Sequence, residues 1–218
     1  MKIFLDFDDS LFNTKKFRGR LLKVFLKNGV LQKDFFNTYY DYPKKTKKGL
    51  QKYDPEKQIK YLAKKGNINS KKLKRDLEEL INNSYKFLFR DAQNFLDNFK
   101  RRELVLLSFA RTNFQCSKIK NSGIEKYFSK VVISDARKAD EISKIAGKQN
   151  IDLFFIDDRI DQISPVKTLF PKSITFLLKR KEGRYNDKRT KSVDFQVRSL
   201  KEVKKIIKKS LDAKKKTK

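Results

Sequence analysis

The most chemically loaded stretch of this chain is Asp6-Phe7-Asp8-Asp9-Ser10, directly after the apolar run Ile3-Phe4-Leu5. A carboxylate at the end of a buried strand is costly unless it is solvated, paired or bound to a cation. On an extended chain Asp6 and Asp8 leave the backbone on the same face, and two like charges held that close invite a metal ion. Three later apolar runs lead into polar groups of a related kind. Leu104-Val105-Leu106-Leu107 runs into Ser108, and Val131-Val132-Ile133 is followed by Lys138. Leu153-Phe154-Phe155-Ile156 ends in Asp157-Asp158, with Asp161 one turn on. Acids, a hydroxyl and an ammonium are the parts that hold a phosphate together with a divalent cation. Each has a plainer explanation when taken singly, because Asp and Ser at strand ends commonly cap turns and helices. Their recurrence at successive strand ends is what points to chemistry.

The elements that must position these residues follow from the hydrophobic pattern. With Ile174-Thr175-Phe176-Leu177-Leu178 and Phe195-Gln196-Val197, the apolar runs number about six, mostly separated by helical patterns. Near-continuous apolar strands of this kind belong to a parallel sheet covered on both faces, and ligands of such sheets bind beyond the carboxyl ends of the strands. The expected fold class is α/β, a Rossmann-like, mostly parallel sheet with helices on both faces. Residues 13–101 interrupt it and carry helical periods without a convincing strand. Phe17, Leu21, Val24 and Phe25 form one helix ending near Gly29. Another opens at Asp54-Pro55-Glu56 and closes at Gly66, and Leu73, Leu77, Leu80, Ile81, Tyr85 and Leu88 mark a third with Ser70 as its N-cap. Tyr42–Gly49 reads as a basic loop. Ser199-Leu200-Lys201-Glu202 is a capping box that starts a last helix, and residues 214–218 read as a solvated, disordered basic tail.

Composition excludes several chemistries. The 218 residues contain no His, which removes Ser-His-Asp catalysis and His-based zinc sites, and Cys116 is the single cysteine, so no intrachain disulfide forms. The N-terminus, with acids by position 6, does not read as a secretory signal, and no window approaches the ~18 apolar residues of a membrane span. A cytoplasmic protein with no membrane partner is expected. The 55 Lys and Arg against 26 Asp and Glu give a net charge of +29, which favours an anionic partner such as nucleic acid or a phosphorylated substrate. The same excess spread over nearly every helix and loop also reads as a compositional drift toward Lys.

The order DxDx(S/T), then Ser/Thr, then Lys, then an acidic pair, each at a strand end, resembles the haloacid dehalogenase (HAD) superfamily of phosphohydrolases. The resemblance spans nearly the whole chain. Residues 1–12 and 102–213 correspond to the α/β core, and residues 13–101 look like that superfamily's C1-type helical cap. The resemblance implies a Mg²⁺-dependent phosphomonoester hydrolase acting on a small phosphorylated metabolite or nucleotide. Asp6 would be the nucleophile that forms an aspartyl-phosphate, and Asp8 the general acid and then base. Ser108 and Lys138 would bind the phosphoryl group, with Lys138 also keeping Asp6 ionised. The metal ligands would be Asp6, the Asp8 backbone carbonyl and an acid of the last motif. Alignment on the double-acid form of that motif gives Asp158 as ligand and Asp157 as its support, which is preferred. Alignment on acids four apart gives Asp157 and Asp161. Ser10 stands where the superfamily most often has Thr, and Phe109-Ala110-Arg111 is bulkier than usual after the Ser108 position. Two other classes compete: a nucleic-acid-binding protein, or nucleic-acid-end phosphatase, on the same scaffold, and a receiver-type phosphoacceptor. A receiver has no helical insertion after its first strand and places its Lys last, which argues against it.

Overall fold

The computed structural model describes residues 1–40, 44–46, 49–66, 68–147 and 152–216. In chain order its strands are β1 (Lys2–Leu5), β2 (Lys44–Thr46), β3 (Gly49–Gln51), β4 (Leu104–Phe109), β5 (Lys130–Ser134), β6 (Leu153–Asp157), β7 (Ile174–Leu178) and β8 (Phe195–Val197). The helices are α1 (Thr14–Lys27), α2 (Gln32–Thr38), α3 (Pro55–Lys65), α4 (Ser70–Asn82), α5 (Arg90–Leu96), α6 (Asn113–Asn121), α7 (Lys138–Ala146), α8 (Ile160–Leu169) and α9 (Leu200–Lys216). The chain divides into two compact units, one of residues 1–15, 88–109 and 124–218, the other of residues 16–87 and 110–123.

The first unit is built on one six-stranded sheet in the order β5-β4-β1-β6-β7-β8, with every neighbouring pair parallel. Strand periodicity sorts its apolar residues onto two faces. Phe4, Val105, Leu107, Phe155 and Leu177 join Ala139 and Ile142 of α7 and Ile163 and Val166 of α8 in one core cluster. Ile3, Leu5, Leu106, Phe154, Ile156 and Phe176 alternate with them and are fully buried as well. Both faces are therefore dry, as the uninterrupted apolar runs require. Helices α5 and α9 pack on each other and bury Phe95, Leu96, Val203 and Ile207. Asp91 of α5 accepts the Leu200 backbone N–H at 2.8 Å, so a side chain from one helix caps the other.

The second unit is mainly helical. Its apolar centre is rich in rings: Phe35 meets Phe25 and the exposed Phe36 edge-on and stacks on Tyr39, and Phe17 contacts Phe87 and Phe114. Four sequence expectations change. The basic segment around residues 44–51 holds the antiparallel pair β2–β3 where a loop was expected, although residues 42, 43, 47 and 48 lie outside the described residues. Two three-residue strands, Lys44-Lys45-Thr46 and Gly49-Leu50-Gln51, are too short to give a period-two signal. The N-cap of α4 is Asn69, whose side chain accepts the Lys72 N–H, one residue before the expected Ser70. Residues 13–101 do not stay together, since 88–101 lie in the sheet unit and α6 lies in the helical one. The expected tail continues α9 through Lys216, and residues 217–218 lie outside the described residues. Among the described residues no helix is long and apolar enough to cross a membrane.

Candidate active site

The register of the central strands explains how acids distant in sequence come together. Phe4 pairs with Phe155 on parallel strands, so two residues on, Asp6 and Asp157 leave β1 and β6 side by side. The Asp6 N–H donates to the Ile156 carbonyl at 3.0 Å and holds that alignment past the end of β1. Asp158 follows directly, and carboxylate oxygens of Asp6, Asp157 and Asp158 lie within 4.8 Å of one another. Lys138, the first residue of α7, donates from Nζ to Asp6 at 2.5 Å and to Asp157 at 2.6 Å. A lysine at a helix N-terminus opposes the helix dipole, and this one is only 5% exposed. Two facing carboxylates supply the compensation that such burial demands.

One ammonium does not balance three carboxylates. Burial pushes the Asp6 carboxyl up to about 7; Lys138 works against this and Asp157 and Asp8 add to it. Burial, followed by the charges of Asp157, Asp6 and Asp9, holds Asp158 well above the ordinary carboxylate range. Burial would lower Lys138, but Asp157 and Asp6 outweigh it and keep the ammonium above its usual value. One Asp158 oxygen, Oδ2, is buried with no hydrogen-bond partner among the described residues. Hard oxygens in excess of positive charge, one of them unsatisfied, fit a divalent cation such as Mg²⁺.

The chain after Asp6 folds into a tight turn. The N–H groups of Leu11 and Phe12 both donate to the Phe7 carbonyl at 2.9 Å, and the Phe7 and Phe12 rings stack. Asp9 sits in this turn at φ 57°, a left-handed conformation that Asp tolerates better than most residues. Its carboxylate accepts Arg184 Nε at 2.5 Å in a buried ion pair. Asp8 stays part-exposed and accepts the Thr14 hydroxyl at 2.9 Å. Ser108 is buried near the C-terminal end of β4, the strand beside β1.

The structure thus gathers Asp6, Lys138, Asp157 and Asp158, and places Asp8 and Ser108 at the carboxyl ends of β1 and its neighbour. Asp157 is committed to Lys138 and to the Arg159 N–H, which leaves Asp158 as the acid with an open oxygen. Asp161 is half-exposed, pairs with Arg159 and lies outside the carboxylate cluster. Sequence reasoning missed Thr14, Arg184 and Arg180. The Arg180 guanidinium donates to the Ser10 carbonyl at 2.8 Å and to Asp91 at 2.8 Å, fastening the acidic turn to α5. In a chain with 55 Lys and Arg, no signal marks these two arginines.

No protein-family model and no curated protein matches the chain. Solved structures do. A Burkholderia xenovorans LB400 protein described as a haloacid dehalogenase-like hydrolase aligns with a TM-score of 0.65 at 15% identity over 96% of this chain and 97% of its own. A Bacillus subtilis protein described as a HAD-hydrolase, solved bound to magnesium, gives 0.58 at 13% identity over 94% and 97%. The L-2-haloacid dehalogenase of Xanthobacter autotrophicus gives 0.58 at 13% identity over 95% and 99%. The chain has the α/β fold of the HAD-like hydrolases.

Proposed function

We propose that the protein is a Mg²⁺-dependent phosphomonoester hydrolase. The observation that carries this reading is the buried network in which Lys138 joins Asp6 to Asp157 while Asp158 keeps an unsatisfied oxygen beside them. Asp6, Asp158 and the Asp8 carbonyl would hold the metal, with Asp157 as support. Bound there, the ion supplies neutralisation of the charge on a phosphoryl group.

The residues divide the remaining work. A carboxylate oxygen of Asp6 attacks phosphorus, and the bond from phosphorus to the leaving oxygen breaks. Asp8 gives its proton to that oxygen, so the alcohol departs neutral. Asp8 then takes a proton from the water that attacks the aspartyl-phosphate, which releases inorganic phosphate and restores Asp6. Acid–base assistance of this kind is worth about 10²–10⁴-fold. Thr14 orients the Asp8 carboxylate for both steps. Lys138 keeps Asp6 anionic against its burial, and the Ser108 hydroxyl donates to a phosphoryl oxygen. The helical insertion is read as the cap that selects the substrate. Halide displacement by the same Asp6 would need neither the acid role of Asp8 nor a cation for phosphoryl charge, because a halide leaves without a proton; only a base for the water that hydrolyses the ester would still be required.

The test is phosphate release from p-nitrophenyl phosphate with Mg²⁺ and with chelator, beside Asp6→Asn and beside chloride release from 2-chloropropionate. Magnesium-dependent phosphate release, reduced at least about 10³-fold in Asp6→Asn, is expected for loss of a nucleophile. Chloride release without phosphate release would replace this reading with a dehalogenase. The net charge of +29 favours a second reading, a nucleic-acid-end phosphatase, which a 5′-phosphorylated oligonucleotide in the same assay tests.

A further inference from the structure

The helical unit contains a cavity of about 780 Å³ that none of the chemistry above uses. Tyr40, Tyr53 and Tyr61 line it together with Lys52, Lys57 and Arg111 and one acid, Asp54, whose side chain is engaged in accepting the Glu56 and Lys57 N–H groups at the start of α3. Three rings and three cations around one space are an unusual lining for a gap between helices, which packing would fill with aliphatic side chains.

The wall is also built to stay in place. Gln58, only 4% exposed, lines the cavity with its amide fully engaged. Its nitrogen donates to the Phe35 carbonyl at 3.1 Å and to the Thr38 hydroxyl at 2.8 Å, and its oxygen accepts the Tyr53 hydroxyl at 2.5 Å. Tyr40 donates to the Lys52 carbonyl at 2.7 Å, and Lys52 donates to the Arg111 carbonyl at 3.1 Å. The Tyr53 ring is flanked edge-on by Tyr39, Tyr40 and Phe114. By contrast Tyr61 is 47% exposed; Lys65 Nζ stands 4.7 Å from its ring centroid, so a stacked ligand would take the other face or displace that side chain.

We infer that this cavity binds a mononucleotide. Planar rings offer stacking to a base, as aromatic side chains do for unpaired bases generally. Asn37 and Asn113, also in the lining, carry both donors and acceptors suited to a base edge. Lys57 and Arg111 meet the phosphate, Arg111 with a planar fork matched to its oxygens. The volume lies within the range of sites that enclose molecules of this size. A sugar phosphate would satisfy the cations and leave the tyrosines idle, and a neutral aromatic compound would do the reverse.

The inference does not rest on the hydrolase reading, because it concerns binding alone. Calorimetric titration of the full chain in chelator would use AMP, UMP, adenosine, ribose 5-phosphate and inorganic phosphate, with Asp6→Asn as a second preparation in which turnover is blocked. Saturable binding of AMP or UMP is expected in both preparations, at least about tenfold tighter than adenosine or ribose 5-phosphate. Tyr61→Ala is expected to weaken the nucleotide about tenfold, the scale of one lost stacking ring, while Tyr61→Phe restores it. Arg111→Gln should weaken the nucleotide and leave adenosine unchanged. Equal affinity for ribose 5-phosphate, for inorganic phosphate or for adenosine would overturn the inference. So would nucleotide binding that Tyr61→Ala leaves intact in a variant whose melting curve matches the wild type.

Discussion

The two units bury their polar groups differently. In the sheet unit the buried polar atoms at the strand ends are charges set against charges: Lys138 with Asp6 and Asp157, and Arg184 with Asp9. In the helical unit they are mostly neutral, with Gln58, Thr38 and Tyr53 bonded to one another, and the buried Lys118 ammonium lies over the Phe17 and Phe114 rings. Neutral hydrogen bonds contribute modestly and cost little to retain. Buried ion pairs return little net stability, and they exact a heavy penalty when one partner goes missing. A fold that needed only to be stable would place neutral networks in both units. Concentrating charge at the carboxyl edge of one sheet marks that edge as the place where charge has work to do.

The sharpest way to break this contrast is Lys138→Met. It leaves two carboxylates buried without their cation, and a loss of about 3–5 kcal/mol in urea unfolding is expected. Added Mg²⁺ should recover part of that loss, and a cost below about 1 kcal/mol would show that the charges are hydrated and the contrast is false. In the helical unit the matching change is Phe35→Ala, which empties a fully buried ring position. About 3 kcal/mol is expected, unaffected by Mg²⁺, because the cost is transfer and cavity and not charge. A Mg²⁺ response in this variant equal to that of Lys138→Met would count against the distinction.

The smallest effect, about 1–2 kcal/mol, is expected from Asp194→Asn at neutral pH. Asp194 accepts Lys167 Nζ at 2.8 and 2.9 Å, the Thr175 N–H at 2.8 Å and the Thr175 hydroxyl at 3.0 Å. Burial alone would raise this carboxyl, yet the bonds from Lys167 and Thr175 prevail and hold it below its ordinary value of 3.8. The folded form therefore binds fewer protons than the unfolded chain. Its contribution is present above the unfolded value near 3.8 and fades as pH falls toward the lower folded value. Stability measured from pH 6 down to pH 3 should fall more steeply in the wild type than in Asp194→Asn. Parallel curves would mean that the charge at this position carries nothing.

The same contrast decides what the sequence makes legible. The four inner strands of the sheet lie on near-continuous apolar runs because they are buried on both faces, while the edge strands β5 and β8 are only partly covered. Asp6, Lys138, Asp157 and Asp158 are legible from their places at strand ends, where parallel topology has to bring them together. Arg180 and Arg184 are not, since their meaning comes from partners Asp91 and Asp9 far along the chain. The β2–β3 pair is hidden for a different reason: its strands are three residues each, Lys44-Lys45-Thr46 and Gly49-Leu50-Gln51, too short for an alternation to read. The split of residues 13–101 escapes sequence reasoning too, because Ala92, Phe95 and Leu96 are periodic like any cap helix and only their partner α9 places α5 in the sheet unit.

The position of β1 has a consequence for how the molecule is made. Its neighbours β4 and β6 pair Ile3 with Leu104 and with Phe154, so the central strand bonds to residues about 100 and 150 positions later. During synthesis the helical unit is complete once residue 123 has emerged, while β1 still lacks one of its two neighbours. One side of β1 thus stays open until β6, about 150 positions later, has been made. Until then it is a bare apolar edge on a growing chain, and completion of the centre of the sheet has to wait for β6.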